Sequence, residues 1–167
     1  MISTGVRVAS ASGVLLPPLR GVGGAGYLRR MDPRLTFVTL VVRDVAVSRR
    51  FYVDGLGWPA ELDVPGEVLM IRVADKVVLS LWQEEQATAE LGPIGRGDGA
   101  PPFTLAHNVA TPADVDRVVA EAVTAGATVV TAPVARDWGG YSGYVADPDG
   151  YRWEIACNPG PIGQSLL

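Results

Sequence analysis

The feature that most constrains this chain is a repeated order of elements. Residues 35–82 and 103–158 each read as strand, helix, then three strands, and matched strands lie about 66–68 residues apart. In the first copy, residues 35–43 (LTFVTLVVR) are β-branched and extended, and Asp44 is placed to cap the helix that follows. Val47, Phe51 and Leu56 recur at helical spacing over residues 46–56, with Arg49, Arg50 and Asp54 on the other side. Gly55 and Gly57 stop that helix. Three short strands follow, at 60–64, 68–73 and 77–82, turning at Pro65-Gly66 and at Ala74-Asp75-Lys76. In the second copy a strand over 103–110 leads to Thr111-Pro112, an N-cap and first-turn proline in the expected order. Residues 113–125 then form an amphipathic helix with Val115, Val118, Val119 and Ala122 inward, closed by Gly126. Strands at 128–133, 141–146 and 151–157 complete the unit. The fold class this predicts is α+β, two tandem βαβββ units forming a curved mixed sheet around a cleft.

The flanks and the join look different. Residues 1–31 show no apolar period and are broken by Pro17-Pro18 and by the glycines at 21–24, so a disordered tail is expected, or a start codon that truly lies at Met31. The domain is expected over 32–162, as units 34–84 and 102–159 joined by a Gly- and Pro-rich linker at 85–101, with 163–167 as a short tail. The chain has 167 residues and a formal net charge of −4 with no basic stripe, which argues against nucleic acid as a partner. No stretch approaches the roughly 20 apolar residues of a membrane span. The single cysteine, Cys157, allows no intrachain disulfide and is compatible with a cytoplasmic location.

The most specific stretch runs from Trp138 to Pro159, WGGYSGYVADPDGYRWEIACNP. Asp147-Pro148-Asp149-Gly150 is a turn: Pro148 presets φ, the Asp side chains cap local N–H groups, and Gly150 takes the strained position. A DPDGYxWE hairpin near a C-terminus resembles the closing hairpin of the vicinal oxygen chelate superfamily, which contains glyoxalase I, extradiol dioxygenases and the bleomycin- and fosfomycin-resistance proteins. The first unit carries a second resemblance in VxLVVRDVxxSRRFYxxGLGW, from Val38 to Trp58. Together the two span roughly residues 34–159. The resemblance implies two sheets curved around a cleft with helices outside, and often a homodimer that completes the cleft.

The family's metalloenzymes draw ligands from the first and last strands of each unit. Carried onto this sequence, those positions are Phe37, Leu79, Thr104 and Glu154. Only Glu154 can give a cation a strong donor, so no metal and no cofactor is expected. The residues expected to line the ligand cleft are Phe37, Thr39, Leu79, Thr104, Asn108, Trp138, Tyr141 and Glu154. Glu154 has two readings: a catalytic acid/base with a pKa raised in an aromatic cleft, or a carboxylate paired with an arginine, Thr39 or Thr104. The only histidine, His107, lies three residues past Thr104, so strand parity turns it towards the helices, where Cys157 could be its neighbour. That pair reads either as a nucleophilic or metal-binding couple or as plain packing. Three functions remain open: a metal-free small-molecule binder, a metal-independent lyase or isomerase using Glu154, and a degenerate structural or regulatory module.

Overall fold

The computed structural model describes residues 31–167. The expectation for residues 1–31 therefore falls, Met31 aside, outside the described residues. From residue 34 onward the order is β1 (Phe37–Val42), α1 (Val45–Arg49), β2 (Ala60–Val64), β3 (Val68–Ala74), β4 (Val77–Gln83), α2 (Glu84–Leu91), β5 (Leu105–Asn108), α3 (Pro112–Ala125), β6 (Thr128–Ala135), β7 (Tyr141–Ala146), β8 (Arg152–Cys157) and α4 (Pro161–Gln164). The α+β class of two βαβββ units is thus the observed one. Each unit makes its own four-stranded mixed sheet, ordered β1-β4-β3-β2 and β5-β8-β7-β6, with the first and last strands of each unit parallel.

Local chemistry explains the elements. The Asp44 carboxylate accepts from the Ala46 N–H at 2.8 Å and starts α1, which widens without a break into a π-helical turn at Arg50–Gly55. Thr111 caps α3 by accepting from the Asp114 N–H, and Gly126 ends it in the left-handed region at φ 115°. Strand β6 carries Pro133 and two register shifts, features that an edge strand tolerates. The join is not all loop. Residues 84–91 (EEQATAEL) form α2, where the linker reading expected none. Its signal was present: good helix formers, with Glu84 and Glu85 at the positive end of the helix dipole. Gly92-Pro93 ends it.

The two units share one core. Leu40, Val42, Leu69, Ile71, Leu79 and Leu81 from the first sheet meet Val145, Ile155 and Cys157 from the second around Phe51, Tyr52, Val115, Val119 and Ala122 of the helices. The helices also touch each other: a Cβ on Gly55 would sit 2.6 Å from the Ala125 Cβ. Each sheet therefore offers one face to the helices and the common core and keeps the other face turned away.

The closing turn ties the units together. Tyr52 Oη donates to Asp147 Oδ2 at 2.7 Å, and Trp153 Nε1 donates to Tyr52 Oη at 3.0 Å. Asp147 Oδ1 accepts from the Asp149 and Tyr151 N–H groups. Asp149 accepts from the Arg43 N–H at 2.8 Å, and Tyr151 Oη donates to the Val41 carbonyl at 2.8 Å. Burial raises the Asp147 pKa and, with the adjacent carboxylate, raises that of Tyr52 much further.

Candidate functional site

Glu154 sits on β8 opposite Ala106 of β5 and Tyr144 of β7, on the sheet face turned away from the helices. Small side chains surround it there: Ala106, Ser142 and Ala156 share its parity. The partner of Glu154 is neither an arginine nor Thr39 or Thr104. Tyr144 Oη donates to Glu154 Oε1 at 2.8 Å. The Tyr144 pKa is raised, first by burial and then by that bond. The Arg136 guanidinium lies 5.6 Å from the Tyr144 ring centroid and donates from Nε to Ser142 Oγ at 2.9 Å. A carboxylate, a phenol and a guanidinium are thus held side by side on a floor of small residues. Asn108, opposite Ala156, lies on the same face.

The remaining expected cleft residues divide. Phe37 and Thr39 pair with Val78 and Ser80, on the first-sheet face away from the core, and Phe37 is 49% exposed. Leu79 pairs with Val38 instead, faces the core and is 2% exposed. Phe37 and Leu79 therefore do not look at one point, because parallel pairing sets the register one residue away from the expected alignment. Tyr141 pairs with Cys157 on the helix face, and its hydroxyl donates to Asp116 of α3 at 3.0 Å. Trp138 is exposed in the β6–β7 turn, its ring lying over Gly140. Thr104 is exposed just before β5. His107 pairs with Ile155, so it does face the helices, while the Cys157 thiol donates to the Ala110 carbonyl at 3.3 Å. The packing reading accounts for that thiol.

Sequence reasoning missed Tyr144 and Arg136 as partners of Glu154. The Tyr144–Glu154 adjacency follows from the hairpin register about the DPDG turn and was available. The Arg136 contact depends on the irregular register of β6 and was not.

This architecture and these motifs belong to a known class. The sequence profile of the Glyoxalase/Bleomycin resistance protein/Dioxygenase superfamily matches residues 34–155, and the chain belongs to that superfamily. A glyoxalase-related enzyme from Fulvimarina pelagi is 33% identical, with a TM-score of 0.68 over 76% of this chain and 89% of that one. A glyoxalase/bleomycin resistance protein/dioxygenase family enzyme from Burkholderia phytofirmans PsJN is 23% identical (TM-score 0.63, covering 73% of this chain and 96% of that one). A lactoylglutathione lyase from Agrobacterium tumefaciens is 21% identical (TM-score 0.59, covering 77% and 96%). The last two likenesses show the fold alone. No curated protein matches the chain.

The donor set does not fit the metal of the family's metalloenzymes. Among the described residues no three of His, Cys, Asp and Glu gather around one point. Glu154 stands with Ala106 across from it and already accepts a hydrogen bond. A transition ion needs about three or four such donors. Among the described residues no helix is long and apolar enough to cross a membrane.

Proposed function

We propose that this protein binds a small organic molecule over Glu154 without a transition metal, and that it does so as a homodimer in the cytoplasm. The observation that carries the reading is the Tyr144–Glu154 pair beside Arg136 on a face of small residues. Such a face offers a flat ligand an acceptor, a donor and room to lie down. The dimer is supported by what one chain leaves open. The Phe37–Thr39 face and the Glu154 face both turn away from the shared core, and among the described residues β1 and β5 are sheet edges. A two-fold axis laying the first face of one copy over the second face of its partner would close a cleft with Phe37 as its lid.

The same hydrogen bond favours one alternative. A carboxylate 2.8 Å from a phenol can move a proton, so Glu154 could act as acid/base for a metal-independent lyase or isomerase. Trp82 shares the first-sheet face of Thr39 and Val41, so the fluorescence of a variant that keeps Trp82 and carries Phe at Trp58, Trp138 and Trp153 reports on ligand there. A panel of small neutral and cationic aromatics is titrated against the protein, with carbonyl substrates assayed for turnover in parallel. Binders should lose affinity about tenfold or more in Glu154→Gln, the equivalent of one lost charge-assisted contact. Binders indifferent to Glu154→Gln and Tyr144→Phe would overturn the placement. Turnover lost in Glu154→Gln would favour the enzyme.

A further inference from the structure

A second place for a small molecule lies on the other side of the second sheet. Two adjoining cavities open there, of about 210 Å³ and about 410 Å³, and both are lined by Trp58, His107 and Trp153. The smaller runs beneath α3, against Phe51, Val109 and Ile155. The larger runs between β5 and the helix-facing side of the first sheet, against Val38 and Leu79. Glu154 lines neither.

The walls specify a chemistry. Trp58 and Trp153 stand nearly edge to face, with ring centroids 5.6 Å apart at 77°, and Tyr52 packs on both. Two indoles at right angles present a π-face and a ring edge to the same space, the two surfaces a flat ring uses. The polar lining is almost all committed. Arg117 is paired with Asp114 and Glu121, Arg72 with Glu61, and the Trp153 N–H donates to Tyr52. His107 is different: it is solvent-exposed where it borders the cavities, and among the described residues its imidazole makes no hydrogen bond and no ion pair, as the Trp58 indole N–H makes no hydrogen bond. The His107 ring nitrogens face water that a ligand can displace. An apolar cavity of about 150 Å³ already suffices to hold benzene in another protein, so the smaller chamber has room for a single ring, and a second can extend past Trp58.

We infer that the Trp58–His107–Trp153 junction is a binding site for a planar molecule of one or two aromatic rings. That molecule carries a hydroxyl or ring nitrogen that hydrogen-bonds to His107. The site is separate from the Glu154 face, and the inference does not need that reading to hold.

The test uses the single histidine of the chain. In tag-free protein the His107 Hε1 proton gives one imidazole resonance, and 2-naphthol serves as the probe. The resonance should shift saturably, and 2-naphthol should show nuclear Overhauser contacts to the methyls of Val109, Val118 and Val145 in the unsubstituted protein. Val118→Phe fills the smaller chamber and should weaken binding by about tenfold or more; His107→Ala, read by titrating the methyl resonances of Val109, Val118 and Val145, should weaken it by about fivefold. The contacts in the unsubstituted protein decide the matter if Val118→Phe fails to fold. An unsaturable shift, contacts confined to Tyr144, or equal affinity in a folded Val118→Phe would overturn the site. So would a His107 shift that follows protein concentration without probe, since a second copy would then fill the junction.

Discussion

Replacing Tyr52 with Phe tests the most buried of the bonds that join the two units. The Tyr52 ring is fully buried, and Phe keeps its shape, so no cavity opens. What is lost is the 2.7 Å bond to Asp147, a carboxylate only 5% exposed. A hydrogen bond to a charged group contributes about 1.5–3 kcal/mol, and Asp147 would then lose one of its three donors. The Trp153 N–H also loses its acceptor, which adds to the cost. The expected loss is therefore about 2–4 kcal/mol at pH 7, or roughly 6–12 °C in Tm.

The pH dependence makes the test sharper. The Asp147 pKa is raised in the folded state, chiefly by burial. A raised carboxylate pKa means that the folded state holds its proton more tightly than the unfolded chain. That contribution is complete below the unfolded value and is lost as pH rises through the folded value. The Tyr52 hydroxyl opposes the shift by favouring the ionised form. Without it the folded pKa rises further, and Tyr52→Phe loses stability over a wider span of pH. The gap between the two proteins should be smallest in acid, where the protonated carboxyl makes only an ordinary hydrogen bond of about 1 kcal/mol, and should widen as pH rises through the raised folded-state pKa. Urea unfolding at intervals of pH measures it. A gap that stays constant, stays below about 0.5 kcal/mol at pH 7, or is larger at pH 4 would refute the reasoning.

Gly55→Ala should cost about 1–3 kcal/mol in urea unfolding, because the new methyl would lie 2.6 Å from the Ala125 Cβ where the two helices meet. Elemental analysis of tag-free protein should find no stoichiometric Zn, Ni, Fe or Mn, and chelator should leave Tm unchanged. Close to one metal per chain, abolished by Glu154→Gln, would reverse the reading of the donor set. Light scattering at micromolar concentration should give a dimer, and Phe37→Asp should shift it towards monomer by charging the exposed face.

The sequence made the fold legible because its signals are local. The Asp44 cap, the Thr111-Pro112 start, the Gly126 stop and the period-two strands each act within a few residues, and each lies where the pattern put it. The site was less legible because it depends on register and on approach between distant segments. Counting along β4 chose Leu79, but which face Leu79 takes is decided by its pairing with Val38. A slip of one residue exchanges cleft for core. Tyr141 was misplaced for the same reason: its parity on β7 sends its hydroxyl to Asp116, and only Tyr144 meets Glu154.

The two motifs that carry the family resemblance turn out to touch each other. From the first come the Arg43 N–H, the Ser48 hydroxyl and the Tyr52 hydroxyl; from the second come Asp147, Asp149, Tyr151 and Trp153. Arg43 and Ser48 reach Asp149, Tyr52 reaches Asp147, and Tyr151 returns to the Val41 carbonyl. These bonds close distances of roughly 100 residues along the chain, which is where loop-closure entropy most needs compensation. The residues that make these bonds therefore lock unit to unit without naming a ligand. The two proposed sites draw instead on Glu154, Tyr144 and Arg136 on one face of the second sheet, and on His107 and Trp58, together with Trp153 of the lock, on the other. Substitutions within the lock should be read by stability and those outside it by binding, so a variant of Tyr144 or His107 that lost affinity with an unchanged urea midpoint would separate the two roles experimentally.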